Sequence, residues 1–444
     1  MDGRAMPASK PRHEDEPIEY DANGDVVLAS DRFFDPWREA RSEALMGIVR
    51  EAQKMITDYE RRLGLRERAR RPKDQAVFEQ TIEALICDMM VAHLSGDERG
   101  SAITLSNSIL GTKSRYRSPV FSKQLPDILK AMASPEMGYI RVLVGWRKNF
   151  GNRGQRTLIW PSKRTIRLIR EHTITLKDIG RRPSQELIIL KAPKQSYGDE
   201  AQYLDYDDTP AIAAMRAQVA EINEWLEKAD LGIAHSELAA RVSLTDRRLR
   251  RVFTRGSFES GGRLYGGFWQ QMKKDDRHDY IVINGDGVVG LDFGQIAARI
   301  AYGLVGAKPP EGDLYQIDGF HPCYRAGFKV LLNSVLSSEK PLKRKPRRSK
   351  DLLPPQGLSS LLDALAAKHA PIAPLFFTAA CHQIQFIESQ IMVEILLRLK
   401  REGIVGLPIH DGVVVPWEAE ERACSVMEEV ALEQTGVNIP VSVE

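Results

Sequence analysis

Asp279-Tyr280-Ile281-Val282-Ile283-Asn284-Gly285-Asp286-Gly287-Val288-Val289-Gly290-Leu291-Asp292-Phe293-Gly294-Gln295-Ile296-Ala297-Ala298-Arg299 decides the fold of this chain. Asp279 to Ile283 and Val288 to Phe293 are apolar, β-rich runs. They flank Asn284 to Gly287, and because Asn and Gly tolerate positive φ the pattern predicts a hairpin. Gln295 to Val305 then carries helical spacing closed by Gly306. Asp292 is thereby delivered where a strand gives way to a helix, a place that suits a metal ligand.

Working outward, Ile404-Val405-Gly406-Leu407-Pro408-Ile409-His410-Asp411-Gly412-Val413-Val414-Val415-Pro416 predicts two apolar strands with a tight polar junction, and Asp411 is its only acid. A carboxylate at such an apex costs stability unless it is solvated, paired or bound to metal. The plainer alternative is a turn Asp capping its own hairpin. Between the two acids, Pro322 to Ser337 predicts a helix that projects Arg325 and Lys329 from one face. Such a cationic pair can clamp a triphosphate, the Arg through its forked donors and the Lys as a point charge, although taken alone a basic pair at this spacing is usually solvent-exposed helix surface.

These pieces resemble the motifs of family A DNA polymerases and phage-type single-subunit RNA polymerases. Asp292-Phe293-Gly294-Gln295-Ile296-Ala297-Ala298-Arg299 is similar to motif A, Asp-Tyr-Ser-Gln-Ile-Glu-Leu-Arg. Arg325-x-x-x-Lys329 resembles motif B and His410-Asp411 resembles motif C. Gly261-Gly262-Arg263-Leu264-Tyr265 is similar to the Arg-Gly-Arg-Val-Tyr segment of phage-type RNA polymerases. The likeness covers residues 250 to 444. It implies an α+β fold with a right-hand palm of antiparallel strands and helical fingers over 251–444.

What the resemblance implies chemically is templated nucleotidyl transfer by two Mg²⁺ ions (Mn²⁺ as a substitute) about 3.5 to 4 Å apart, held by Asp292 and Asp411. Arg325 and Lys329 would bind the triphosphate and neutralise the leaving pyrophosphate, with Lys329 a proton donor. His410 would orient the primer end or the Asp411 loop. Gln295, Ala297, Asn333 and Ser337 complete the implied nucleotide site, and Arg263, Tyr265 and Arg299 the implied contacts with template or product.

The chain also departs from the pattern. Family A DNA polymerases place a Glu at the position of Ala297, where it blocks the 2′-hydroxyl together with a motif B Tyr. Here the motif B aromatic and the Tyr-Gly fall at Asn333 and at Ser337-Ser338. Small side chains at those positions predict that ribonucleotides are accepted, as in a primase or RNA polymerase. Motif C ends in Gly412 in place of Glu or Ser. The preceding helical stretch, His382 to Arg401, carries a polar patch of Gln383, Gln385, Glu388, Ser389 and Gln390 that either faces the active site or is plain helix surface.

Residues 1 to 30 read as a disordered tail. Phe34 to Leu63 and Asp74 to Leu94 predict helices. From Ser101 to Arg170 fourteen Lys and Arg face only Asp127 and Glu136. The order there is helix (Ser122 to Met132), strand (Gly138 to Trp146), glycine-rich loop, strand (Arg156 to Trp160), the outline of a winged helix that would set Arg147, Lys148, Arg153 and Arg156 on a phosphate backbone. The expected domains are therefore a basic region at 31–175, a thumb-like helical connector at 176–250 with helix Asp208 to Ala229, and the core at 251–444. A further basic run, Ser337 to Lys350, holds seven Lys or Arg and predicts either a flexible loop in the fingers that attracts single strands or a disordered, solvated linker.

Composition narrows the setting. The 444 residues carry a net charge of +3, with 43% hydrophobic and 28% charged residues and no apolar run of membrane-spanning length. Cys87, Cys323, Cys381 and Cys424 are scattered singly, without the spacing of a zinc site or disulfide framework. No secretory signal is evident in Met1 to Pro17, so the cytoplasm of a bacterium or bacterial mobile element is expected. Expected partners are a nucleic-acid template and primer, DNA foremost, and nucleoside triphosphates. The competing reading is a replication initiator or regulator whose polymerase-like half has lost activity and serves as a DNA platform.

Overall fold

The computed structural model describes residues 32–97, 99–145, 156–194, 199, 201–239, 242–349 and 351–444, and divides into two compact units, Met1–Gln185 and Glu186–Glu444. The expected connector at 176–250 is cut by that boundary. Residues 186–250 share the core of the second unit, where Leu187, Ile212, Val219 and Leu249 pack in the same cluster as Val413.

The first unit runs β1 (Arg38–Ala40), α1 (Glu43–Arg62), α2 (Pro72–Leu94), β2 (Ser101–Ile103), α3 (Leu125–Met132), β3 (Ile140–Leu143), β4 (Thr157–Pro161), α4 (Lys163–Glu171) and β5 (Ile179–Arg181). Its centre is α2, which is buried on nearly every side from Phe78 to Ala92. The helix expected from Phe34 begins only at Glu43. Ser42 caps it by accepting from the Leu45 amide at 3.3 Å, and residues 38–40 pair instead with β5. α3 is followed by the antiparallel β3–β4 pair, in the order expected, with β2 added on the far side of β4. Arg147, Lys148 and Arg153 lie outside the described residues. Arg156 is exposed, its guanidinium 4.9 Å over the Phe33 ring.

The second unit continues with β6 (Ile188–Leu190), α5 (Pro210–Lys228), β7 (Leu231–Ile233), α6 (Ser236–Ala239), β8 (Arg250–Phe253), β9 (Gly261–Tyr265), α7 (Lys274–Tyr280), β10 (Ile281–Ile283), β11 (Val288–Phe293) and α8 (Ile296–Leu304). It ends with α9 (Arg325–Ser337), α10 (Leu358–Lys368), α11 (Cys381–Arg401), β12 (Leu407–Ile409), β13 (Gly412–Pro416), α12 (Glu420–Thr435) and β14 (Val441–Val443). The unit is a mixed α+β structure. Its main sheet is antiparallel in the order β12-β13-β11-β14, with α8, α11 and α12 contributing to the core beside it. No helix among the described residues is long and apolar enough to cross a membrane.

The turn at Asn284 and Gly285 forms with positive φ at both residues, yet the strands on either side do not pair as a hairpin. β10 pairs with β7, whereas β11 lies between β13 and β14. A local turn signal fixes the chain reversal, and the long-range partner is chosen by which apolar edges meet in the core.

The basic run after α9 is also more ordered than expected. Lys345 Nζ donates to the Pro354 carbonyl at 2.6 Å, and Ser349 is fully buried. The segment folds back on α9 because Gly327 has no side chain, and a Cβ there would stand 2.3 Å from the Leu352 carbonyl oxygen. Ala in place of Gly ordinarily stabilises a helix interior by about 1 kcal/mol. At this position Gly327→Ala should instead lower Tm in thermal unfolding, with an overpacking cost of about 1–3 kcal/mol that exceeds the propensity gain.

Candidate active site

Register brings the two sequence-predicted carboxylates together. Asp292 on β11 is the direct cross-strand partner of Gly412 on β13, so Asp411, one residue earlier at the hairpin apex, is its neighbour. The close approach needs glycine at 412. A Cβ there would lie 2.8 Å from the Leu291 carbonyl oxygen and 3.2 Å from Asp292 Oδ1. On the other side of β11, Asp292 pairs with Ser442, whose hydroxyl donates to the Asp292 carbonyl at 3.2 Å.

The hairpin apex is strained and is held from outside. His410 adopts φ +56°, which costs a residue with a Cβ. Trp269 Nε1 and Gln270 Nε2 both donate to the Pro408 carbonyl, at 2.9 and 3.0 Å, and the Tyr265 ring meets the exposed His410 ring edge-on at 5.9 Å. Burial and the charge of Arg263 push the His410 imidazole below its ordinary value, against the pull of Asp411.

Burial, then the Asp411 and Glu444 charges, push Asp292 up to about 6, while Lys329 pulls the other way. The influence of Lys329 puts α9 within electrostatic reach of Asp292. Arg325, Lys329, Asn333 and Ser337 follow one another at four-residue spacing along α9, whose Phe328, Leu331, Leu332, Val335 and Leu336 are buried. Arg325 and Lys329 are exposed, with the Arg325 guanidinium 5.3 Å and Lys329 Nζ 5.9 Å from the centroid of the Tyr315 ring beneath them. Asn333 is half-buried, and the Ser337 hydroxyl donates to its carbonyl at 2.6 Å.

Gln295 takes a left-handed φ of +62° between β11 and α8, and Ala297, the second residue of that helix, is half-buried against the core. Arg299 does not stand free. Its Nη1 donates to the Asn438 carbonyl at 3.1 Å, which ties α8 to the residues before β14.

Sequence reasoning missed the partners of these residues. Arg263, expected against nucleic acid, donates from Nε and Nη2 to the two oxygens of Glu388 on α11, at 2.6 and 2.9 Å. Glu388 is 3% exposed, so the polar patch of α11 faces inward at this point. Beside it Arg251, fully buried, donates to Ser389 Oγ at 2.9 Å, Gln390 Oε1 at 2.6 Å and the Gly262 carbonyl at 3.0 Å. Burial without a carboxylate partner lowers Arg251 to about 10. Two arginines thus dock β9 onto α11. Arg263 Nη1 has no hydrogen-bond partner among the described residues, and Tyr265 is 39% exposed.

The donor set fits a hard divalent cation in one respect and limits it in another. Two adjacent carboxylates, one of them with its proton affinity raised by the other, gain from a shared positive charge. Among the described residues no group of three or more His, Cys, Asp or Glu is arranged to hold a metal, so any ion here would rest on this pair, water and ligand oxygens, the habit of Mg²⁺.

Because Asp292 titrates well above its ordinary 3.8, the metal-free native state holds a proton that the unfolded chain releases. Metal-free stability should fall as pH climbs from about 4 through about 6, and the fall should shrink in Asp292→Asn. Asp411→Asn should move the Asp292 midpoint down, read by carboxyl ¹³C NMR on the metal-free protein.

No family model matches the chain, and no curated protein matches it. Among solved structures it is similar to the POL domain of Pol1 from M. smegmatis in complex with DNA primer-template and dNTP, at 12% sequence identity and a TM-score of 0.32. The match covers 91% of this chain and spans 66% of the length of that one.

Proposed function

We propose that the second unit is the palm and fingers of a templated nucleotidyltransferase that extends a 3′ end and accepts ribonucleotides. The observation that supports this reading is the strand register that sets Asp411 beside Asp292, with Lys329 of α9 close enough to act electrostatically on Asp292. Two acids beside two cations match the charge pattern of a polyphosphate bridged to divalent ions.

In this reading Asp292 and Asp411 would hold two Mg²⁺ ions, which would supply charge stabilisation at the attacking and leaving oxygens. Arg325 and Lys329 receive the triphosphate, Lys329 as a point charge able to give a proton from Nζ to the departing pyrophosphate. The exposed edge of His410, the hydroxyl end of Tyr265 and the free Nη1 of Arg263 form the side on which primer and template lie. Glu388 fixes the direction of that arginine, since a bidentate carboxylate leaves a guanidinium little rotational freedom. Ala297, with Asn333 and Ser337 on α9, leaves room for a 2′-hydroxyl.

The test is incorporation of labelled nucleotide on a primed template with Mg²⁺ or Mn²⁺. Asp292→Ala and Asp411→Ala should each cut the rate by at least about a thousandfold, because several kcal/mol of charge stabilisation go with the ions. Template binding measured by anisotropy should persist in both. Incorporation that survives both substitutions overturns the enzymatic reading, and binding without any incorporation by the unaltered chain favours the DNA-platform reading.

Ribonucleotide acceptance is separable. Ala297→Glu should reduce use of NTPs on the order of tenfold while leaving dNTP use nearly intact, as one added steric contact discriminates by about 1–3 kcal/mol. A strong dNTP preference in the unaltered protein would defeat this part of the reading.

A further inference from the structure

The segment between α8 and α9 contains an acid that no motif accounts for. Asp313 Oδ1 accepts from Gln295 Nε2 and from the Tyr315 amide, both at 2.8 Å, and its Oδ2 accepts from Arg325 Nε. One carboxylate therefore joins the turn that follows Asp292 to the first residue of the α9 cation pair. The Arg325 hydrogen bond, the Tyr315 amide and the Arg325 charge hold Asp313 below the usual carboxylate range despite its partial burial.

The backbone carrying Asp313 is braced from behind. Lys368 Nζ donates to the carbonyls of Asp313, at 3.1 Å, and of Gln316. His369 is fully buried, with Nε2 2.9 Å from the Leu314 carbonyl and Nδ1 2.9 Å from the Tyr302 hydroxyl. A carbonyl only accepts, so Nε2 carries the proton and Nδ1 accepts from Tyr302. The Leu314 amide donates in turn to Gln295 Oε1 at 3.3 Å. Asp313 is thus fixed on a backbone with little freedom to follow Arg325.

Two roles are open to a carboxylate in this position. It can stand in for phosphate and compete with it, or it can aim the arginine. A stand-in anion would gain most by taking both ends of the guanidinium fork, the arrangement that a phosphate prefers. Asp313 takes Nε instead, and the two Nη groups of Arg325 have no partner among the described residues. The Tyr315 ring lies under the same guanidinium and restricts its tilt.

We infer that Asp313 is a positioning residue that holds Arg325 by Nε so that both Nη groups face the incoming polyphosphate, and that it couples this aim to Gln295 and the strand end bearing Asp292. The inference rests on the nucleotidyltransferase reading for the identity of the polyphosphate.

The test uses the full chain with inorganic tripolyphosphate, titrated by calorimetry, alongside steady-state incorporation. Charge alone predicts that Asp313→Ala tightens anion binding, since a negative group is removed. Positioning predicts the opposite, with Kd for tripolyphosphate and KM for NTP rising about tenfold, the scale of one charge-assisted hydrogen bond. KM for the primed template should stay unchanged. Asp313→Asn, which keeps an oxygen for the Tyr315 amide, should fall between, and it serves as the readout if the alanine variant folds poorly. Unchanged or tighter binding in both variants overturns the inference while incorporation by the unaltered chain leaves the enzyme reading standing. If the unaltered chain neither binds tripolyphosphate nor incorporates nucleotide, both fall.

Discussion

Everything in the second unit turns on two like charges being forced side by side by strand register. β11 and β13 pair in the one alignment that sets Asp292 across from Gly412, and the missing side chain at 412 lets the backbones close. Slipping the pair by one residue would turn Asp292 to the opposite face of the sheet and separate it from the hairpin apex. The register is fixed in turn by Val413, Val414 and Val415, all buried, so the hydrophobic core bears the cost of holding the acids together. The proton affinity of Asp292 is raised first by its burial and then by the Asp411 charge that this register sets beside it.

The carboxylates and the cation pair were legible in the chain because each is announced locally. Asp292 follows an apolar run and precedes a helical pattern, Asp411 interrupts two apolar runs, and Arg325 and Lys329 are one helical turn apart. What the sequence hid is what depends on distant segments meeting. The Asn284-Gly285 turn is real, yet nothing near it says that β10 will join β7. Arg263 read as a free cation because Glu388 lies 125 residues away. Asp313 carries no local mark at all, as its role exists only once Gln295, Tyr315 and Arg325 are gathered around it.

Local signals were also overridden where packing decided otherwise. The apolar spacing from Phe34 suggests a helix, but residues 38–40 find a strand partner in β5 and the helix waits for its Ser42 cap. The basic stretch after Ser337 has the composition of a loose linker, and still Ser349 is buried because Gly327 lets the chain press against α9.

The two arginine–carboxylate pairs flanking the site differ in how deeply they sit. Glu388 is enclosed at 3% exposure, so parting it from Arg263 would strand a charge in a poorly solvated place. Asp313 and Arg325 are 33% and 45% exposed, so their ion pair contributes little to stability, and the braced backbone behind Asp313 is what keeps the carboxylate in place. One flank is therefore locked by burial and the other by the backbone brace behind its carboxylate, so two arginines of very different exposure are each held in a set direction.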